Sequence, residues 1–145
     1  MREYPVATDC PAPASGIFFC RAICEAPTMA AAVATQRALS ASAAIEHMTA
    51  MGQRLRDGLD RLARQAGVGL RQTGPVQMAM VLFDDEADNA KGRAVCSAAL
   101  QAGAYFHPRH NMFLSAAHRA EDIDRALLAA EAGFNVLVKL GKSAG

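Results

Sequence analysis

Between residues 45 and 66, apolar side chains recur at Ile45, Met48, Leu55, Leu59, Leu62 and Ala66, in steps of three, four and seven. Arg54, Arg56, Asp57, Asp60, Arg61 and Arg64 fall mainly on other faces. That period predicts an amphipathic helix burying one stripe. Ser40 and Ser42 offer its N-cap, and Gly67 its stop, because glycine turns left-handed without a Cβ penalty. Asp57/Arg61 and Asp60/Arg64 stand at i,i+4 in the favourable order, each pair adding only a few tenths of a kcal/mol.

Elsewhere the pattern divides into shorter pieces. Residues 29–39 are Ala-rich with little charge, which predicts a helix buried on most sides. Residues 68–70 and 77–83 read as strands separated by Gly74-Pro75, and Asp84-Asp85-Glu86 as a solvated acidic end. Residues 88–102 predict a third helix with Val95, Ala98, Ala99 and Ala102 inward and Gly103 as its stop. Residues 104–106 and 112–115 read as short strands flanking a polar loop at 107–111. A last helix starts near Glu121, with Ile123, Leu127, Ala130, Phe134 and Leu137 at helical spacing. Glu121, Asp122 and Asp124 in its first turn complement the helix dipole. The order predicts an α+β fold, a small antiparallel sheet of three to four strands covered by helices. Residues 1–14 read as an extended N-terminal arm, 15–140 as one domain and 141–145 as a flexible tail.

Composition narrows the class. The chain has 145 residues, 52% hydrophobic and 20% charged, enough for one domain with a real core. Alanine fills 32 positions, Trp is absent and aromatics reach only 6%, so packing falls to Ala, Leu, Val and Met between close helices. Disorder, collagen and a disulfide-stapled scaffold are excluded. Fifteen basic against fourteen acidic groups leave +1, without the electrostatic footprint of a nucleic-acid binder. No run approaches the ~18 apolar residues of a membrane span. Cys10, Cys20, Cys24 and Cys96 form no CxxC pair, and residues 1–16, punctuated by Pro5, Pro11 and Pro13, lack the apolar run of a secretory segment. Free thiols and a cytoplasmic location are therefore expected.

The densest polar cluster is His107-Pro108-Arg109-His110-Asn111, with His118 seven to eight residues beyond Asn111 and His110. Three readings stay open: a metal site, a polar connection between strands, and a substrate-facing loop. Against a metal stand the His-x2-His spacing in a loop and the lack of a nearby acidic ligand or Cys pair. For a substrate stands Arg109, which can clamp a carboxylate while the histidines hydrogen-bond it. Cys20 and Cys24 have no sequence-adjacent His to activate them, and buried thiols are more often packing. GxGxxG and GxxxxGK[ST] are both absent. The Met residues stand at core-type positions.

Three stretches together resemble one family. Ser15-Gly16-Ile17-Phe18-Phe19, followed by Pro27-Thr28-Met29-Ala30-Ala31-Ala32-Val33-Ala34-Thr35, is similar to the "G-T-F … N-P-x-A-M-A-A-A-x-A-T-L" segment of class III aminotransferases. Gly74-Pro75-Val76-Gln77-Met78 resembles their "G-x-G-S-M" strand entry. Residues 104–118, ending in Phe113-Leu114-Ser115-Ala116-Ala117-His118, then Glu121-Asp122-Ile123-Asp124, resemble the "G-V-Y-x-x-P … F-L-S-x-A-H-T-x-x-D-I-D" ending of the glutamate-1-semialdehyde aminomutase-like branch. The resemblance covers roughly residues 15–140.

It implies the C-terminal small domain of a fold type I, pyridoxal-phosphate (PLP)-dependent enzyme that works as a homodimer, with active sites at the subunit interface. The domain carrying the Schiff-base lysine would then have to come from elsewhere. Lys91, Lys139 and Lys142 are the only lysines, one opening a solvated helix and two near the chain end. By the resemblance, Gly16 and Ile17 occupy the Gly-Thr turn that touches the PLP phosphate in the neighbouring subunit, but Ile17 has no hydroxyl to donate. Arg119 stands where the family has a helix-capping Thr, which removes the reciprocal capping box while Asp122 is kept. Arg109, His110 and Asn111 match the loop bordering the substrate. The implied function is a domain inactive alone that completes a PLP enzyme with a separate large-domain partner. The alternative is a non-catalytic dimerisation or binding domain that keeps the fold.

Overall fold

The computed structural model describes residues 26–84 and 88–143. The expected arm, the Gly16-Ile17 turn, Cys10, Cys20, Cys24 and the Asp85-Glu86 end lie outside the described residues. Contacts group the chain into two units, Met1–Ser42 and Ala43–Gly145. In the first, helix α1 spans Ala26–Ser40 and has no buried residue, contrary to the burial expected of an Ala-rich helix. Its helicity comes from alanine's backbone propensity rather than from packing, and Met29 and Val33 stay exposed.

The second unit opens with helix α2, Ala44–Ala66. Ser42 does not cap it: its hydroxyl donates back to the Ala38 carbonyl, and Ala43 stands at the N-cap with no side-chain bond. The other end closes as expected. Gly67 adopts φ 67°. Its N–H donates to the Arg64 carbonyl and that of Val68 to the Ala63 carbonyl, a Schellman motif. The two expected i,i+4 ion pairs do not form. Asp57 accepts from Gln53 and Asp60 from Gln72, partners that fix less side-chain freedom than two long exposed arginines.

Strands β1 (Leu70–Thr73) and β2 (Met80–Phe83) pair antiparallel, in register from Leu70↔Phe83 to Thr73↔Met80. Gly74 turns the chain between them at φ 82°, followed by a 3-10 turn over Val76–Met78. The sheet has two strands, not three or four. Residues 112–114 do run beside this turn, with Met112 N–H donating to Ala79 O and Leu114 N–H to Gln77 O, each at 2.9 Å. The ladder is not completed because the 3-10 turn returns no donor: neither the Ala79 N–H nor the Gln77 N–H bonds back to Met112 or Leu114, as an antiparallel pair requires. Residues 104–106 are lost to the sheet for a similar reason: the Ala104 N–H donates to Ala99 O, closing helix α3 (Ala90–Gln101) through Gly103 at φ 96°.

Helix α4 runs Ala120–Ser143, three residues into the stretch read as a tail. The core lies between α2 and α4. Leu55, Leu59, Leu62 and Ala63 meet Ile123, Leu127, Ala130 and Phe134, with Val81, Phe83, Phe106 and Leu114 against them. The large apolar members of this set contribute on the order of 1.5–3 kcal/mol each by leaving water. Phe83 and Phe134 tilt against each other with ring centroids 6.0 Å apart. Helix α3 turns Val95 and Ala99 inward as expected, whereas Ala102 is exposed past the helix end. Among the described residues no helix is long and apolar enough to cross a membrane.

Candidate functional site

The loop at 107–111 is fastened to its neighbours by side chains aimed at backbone. Asn89, just before α3, holds φ 60°, a left-handed conformation that asparagine tolerates. From there its Nδ2 donates to the Pro108 carbonyl at 2.8 Å. Asn111 Nδ2 donates to the Met78 carbonyl at 2.9 Å, tying the loop to the end of the 3-10 turn. The Arg109 N–H donates to His107 Nδ1. The Arg109 guanidinium makes a long bond, 3.3 Å, to the Asp88 carbonyl, which also accepts from Arg93. His110 donates from Nδ1 to the Asn111 carbonyl. Four rings follow one another along this segment: Tyr105 against His107, His107 edge-on to His110 at 5.8 Å, and His110 against Phe113.

His107 and His110 lie together, but His118 does not join them. His118 belongs to a separate turn, where its Nδ1 accepts the Ser115 N–H at 2.9 Å. His47 on α2 donates from Nε2 to the His118 carbonyl at 2.7 Å. His118 lines an open cleft of about 960 Å³ with Leu55, Tyr105, Phe113, Asp122 and Leu128. His107 instead borders a tight apolar void of about 20 Å³ with Cys96 and Phe134. Arg109, His110 and Asn111 line neither space. Among the described residues no three His, Cys, Asp or Glu side chains cluster in a way that could hold a metal ion.

Asp122 supplies half of a capping box: its Oδ2 accepts the Arg119 N–H at 2.9 Å while its other oxygen pairs with Arg125. That backbone bond first, then the guanidinium, holds its carboxyl below the usual value. Burial pushes the Cys96 thiol up to about 11. No lysine lines the 960 Å³ cleft, so it offers no amine on which a carbonyl cofactor could be held covalently.

Sequence reasoning missed His47 and Asn89. His47 had no local signal, since its partner is 71 residues away. Asn89 had one, an Asp-Asn pair directly before a helix.

No family model matches the chain. It is 40% identical over 115 residues to an aminopentol aminotransferase of Sphingopyxis macrogoltabida, covering 79% of this chain and 27% of the relative. It is 32% identical over 118 residues to a glutamate-1-semialdehyde 2,1-aminomutase of Desulforudis audaxviator, covering 73% and 27%. Among solved structures, the FumI protein of Sphingopyxis sp. MTA144, in its PLP internal aldimine form, superposes with a TM-score of 0.74 at 40% identity, over 77% of this chain and 27% of that one. An omega-transaminase from Sphaerobacter thermophilus gives a TM-score of 0.57 at 19% identity over 63% and 24%, and bears on the fold alone. The chain spans about a quarter of the length of the curated relatives it matches, and the match falls in their C-terminal portion.

Proposed function

We propose that this chain, a C-terminal piece of the class III PLP-dependent aminotransferase family, forms the substrate-side wall of an amino-group-transfer site whose lysine-bearing part lies on another domain. The observation that carries this reading is the 40% identity over 115 residues to an aminotransferase of which the chain spans only 27%. PLP is the cofactor of the family, and when bound it acts as the electron sink for the amino acid carbon. The described residues do not fit it as a covalent holder, because no lysine lines the cleft, and no chemical step is assigned to this chain alone. Gly16 and Ile17 lie outside the described residues; the family resemblance puts them at its phosphate turn, where Ile17 has no hydroxyl to donate.

Within that site Arg109 is the carboxylate partner. Its guanidinium is exposed, its one long bond goes to a backbone carbonyl, and Asn89 and Asn111 fix the loop that carries it. A substrate carboxylate displaces that bond at small cost and gains a charge-assisted pair. His110 and Asn111 position the loop rather than bind, since both direct polar atoms to backbone. The working assembly is a cytoplasmic homodimer.

The test mixes the full chain with PLP and with a large domain of the family carrying its lysine, and follows cofactor absorbance and transaminase turnover. Turnover only in the mixture supports the reading, and Arg109→Ala then raises KM for a carboxylate substrate. An unchanged KM removes the Arg109 role. A mixture with neither cofactor binding nor turnover leaves a dimerisation or binding domain that keeps the fold.

A further inference from the structure

Asn89 stands immediately before α3, where an asparagine side chain ordinarily accepts a backbone N–H from the first turn of the helix. It makes no such bond. Asp88 does the local work instead, its Oδ1 accepting the Ala90 N–H at 3.1 Å. Asn89 also holds φ 60°, and among the described residues no other non-glycine has a positive φ. A residue that takes a costly backbone conformation and forgoes its cap points to a duty elsewhere in the fold. That duty lies 19 residues along the chain, where its Nδ2 donates to the Pro108 carbonyl, next to Arg109. Gly92, buried one turn into α3, makes room for the reach. A Cβ on Gly92 would stand 2.5 Å from Asn89 Oδ1 and 3.1 Å from its Cγ. Glycine is unfavourable inside a helix, so this position suits Asn89 rather than α3. Asp88 accepts the Arg109 guanidinium on its own carbonyl at 3.3 Å, so residues 88 and 89 meet both the head group and the backbone of one short segment.

We propose that Asn89 and Gly92 are positioning residues for Arg109: together they clip the 107–111 loop to the entry of α3, so that the guanidinium is presented to a substrate carboxylate before binding. The proposal rests on the role given to Arg109 under Proposed function. Neither residue touches the substrate. A loop ordered in advance leaves less freedom to be lost on binding, so breaking the clip weakens binding and leaves the chemical step alone. The signature is a higher KM at constant kcat.

The experiment breaks the clip from both ends. Asn89→Gly keeps the left-handed backbone and removes the donor. Gly92→Ala keeps the donor and displaces it, while favouring α3 by backbone propensity, so any loosening it causes is not that of a weaker helix. Arg54→Ala, between α2 and α4, is the control for a small general loss of stability. In the full chain alone, both clip variants exchange the amide hydrogens of residues 107–112 about fivefold faster, and Arg54→Ala does not. In the mixture with PLP and a lysine-bearing large domain, both raise KM for the carboxylate substrate about three- to tenfold with kcat held. Added to Arg109→Ala, Asn89→Gly raises KM no further, because the two act through one group.

Unchanged exchange in either clip variant overturns the role of the residue changed, whatever the mixture does. Faster exchange with KM unmoved, where Arg109→Ala does raise it, overturns the positioning role and leaves the functional reading standing. A KM that rises as much for Arg54→Ala, or an Asn89→Gly effect that adds in full to that of Arg109→Ala, overturns the proposal as well. An unmoved KM in Arg109→Ala, or a mixture without turnover, overturns the functional reading and this proposal with it.

Discussion

Gly133 of α4 and Val95 of α3 approach so closely that a Cβ on Gly133 would stand 2.6 Å from the Val95 carbonyl oxygen. The same device recurs between α2 and α4, where a Cβ on Gly58 would lie 2.4 Å from both Leu127 methyl carbons. The obstacles differ in kind. A carbonyl cannot rotate away, so Gly133→Ala forces the two helices apart. Leu127 can turn its isobutyl end, so Gly58→Ala is partly absorbed. Alanine also returns up to about 1 kcal/mol of helix propensity at each site. Against an overpacking cost of ~1–3 kcal/mol or more, Gly133→Ala destabilises clearly and Gly58→Ala little. Urea denaturation of the two variants measures the order, and a Gly58 variant as damaged as the Gly133 one contradicts it.

Arg54 on α2 grips Asp124 on α4 with two parallel bonds, Nε to Oδ1 at 2.8 Å and a terminal nitrogen to Oδ2 at 2.9 Å. Both side chains are 49% exposed, which screens the pair. Arg54→Ala should therefore cost no more than about 1 kcal/mol, and Arg54→Lys nearly as much, because an ammonium cannot make the fork. Raising salt should shrink the difference between parent and variant. A loss of several kcal/mol, or one indifferent to salt, would show that Arg54 supports packing instead.

The stripe on α2 was legible because its period and its closing glycine agree, and both Leu59 and Gly67 sit where the sequence places them. The sheet was overread for a backbone reason. The Ala104 N–H is spent on closing α3, and residues 112–114 lie against a 3-10 turn that returns no donors. Neither event leaves a mark in side-chain alternation or in the bounding turn residues, from which strands are read in a sequence. The polar loop was visible as a cluster, but the division of labour within it was not. Asn111 looks like a ligand in sequence and is a fastener in space, bonded to Met78, 33 residues back. His47 does comparable work at the other turn with no local signal at all. The cleft was invisible for the same reason, since Leu55, Tyr105, Phe113 and Leu128 come from four separate stretches of chain.

Asp122 gives a pH dependence with a definite sign. Its folded carboxyl titrates below the ordinary value because the Arg119 N–H and the Arg125 guanidinium favour the anion. The stabilisation is present above the unfolded value near 3.9 and disappears as pH falls through the lower folded value. Asp122→Ala should therefore melt below the parent at pH 7, and the two should converge in strong acid. Asp122→Asn, which keeps an acceptor for the Arg119 N–H and loses the charge, should fall between them. Curves that stay equally separated down to the lowest pH would assign the effect to packing.

Cys96 sits on α3 beside a tight apolar void bounded by Val95, Phe106 and Phe134. Burial raises its thiol from 9.0 to about 11, since the thiolate has no cation or donor to replace lost water. The nucleophile is the thiolate, so at pH 8 a variant with Cys10, Cys20 and Cys24 changed to Ser should react with iodoacetamide far more slowly than the same protein in denaturant. The folded rate should climb only as pH approaches the raised value. The sign for stability follows from the same shift. Below 9 both states hold the proton and nothing is lost, whereas between 9 and 11 the unfolded chain ionises and the folded one does not, so stability falls with rising pH. Cys96→Ala removes that alkaline loss and leaves a small cavity in its place. A folded thiol that alkylates at the denatured rate at pH 8 would place Cys96 in water and sink the assignment.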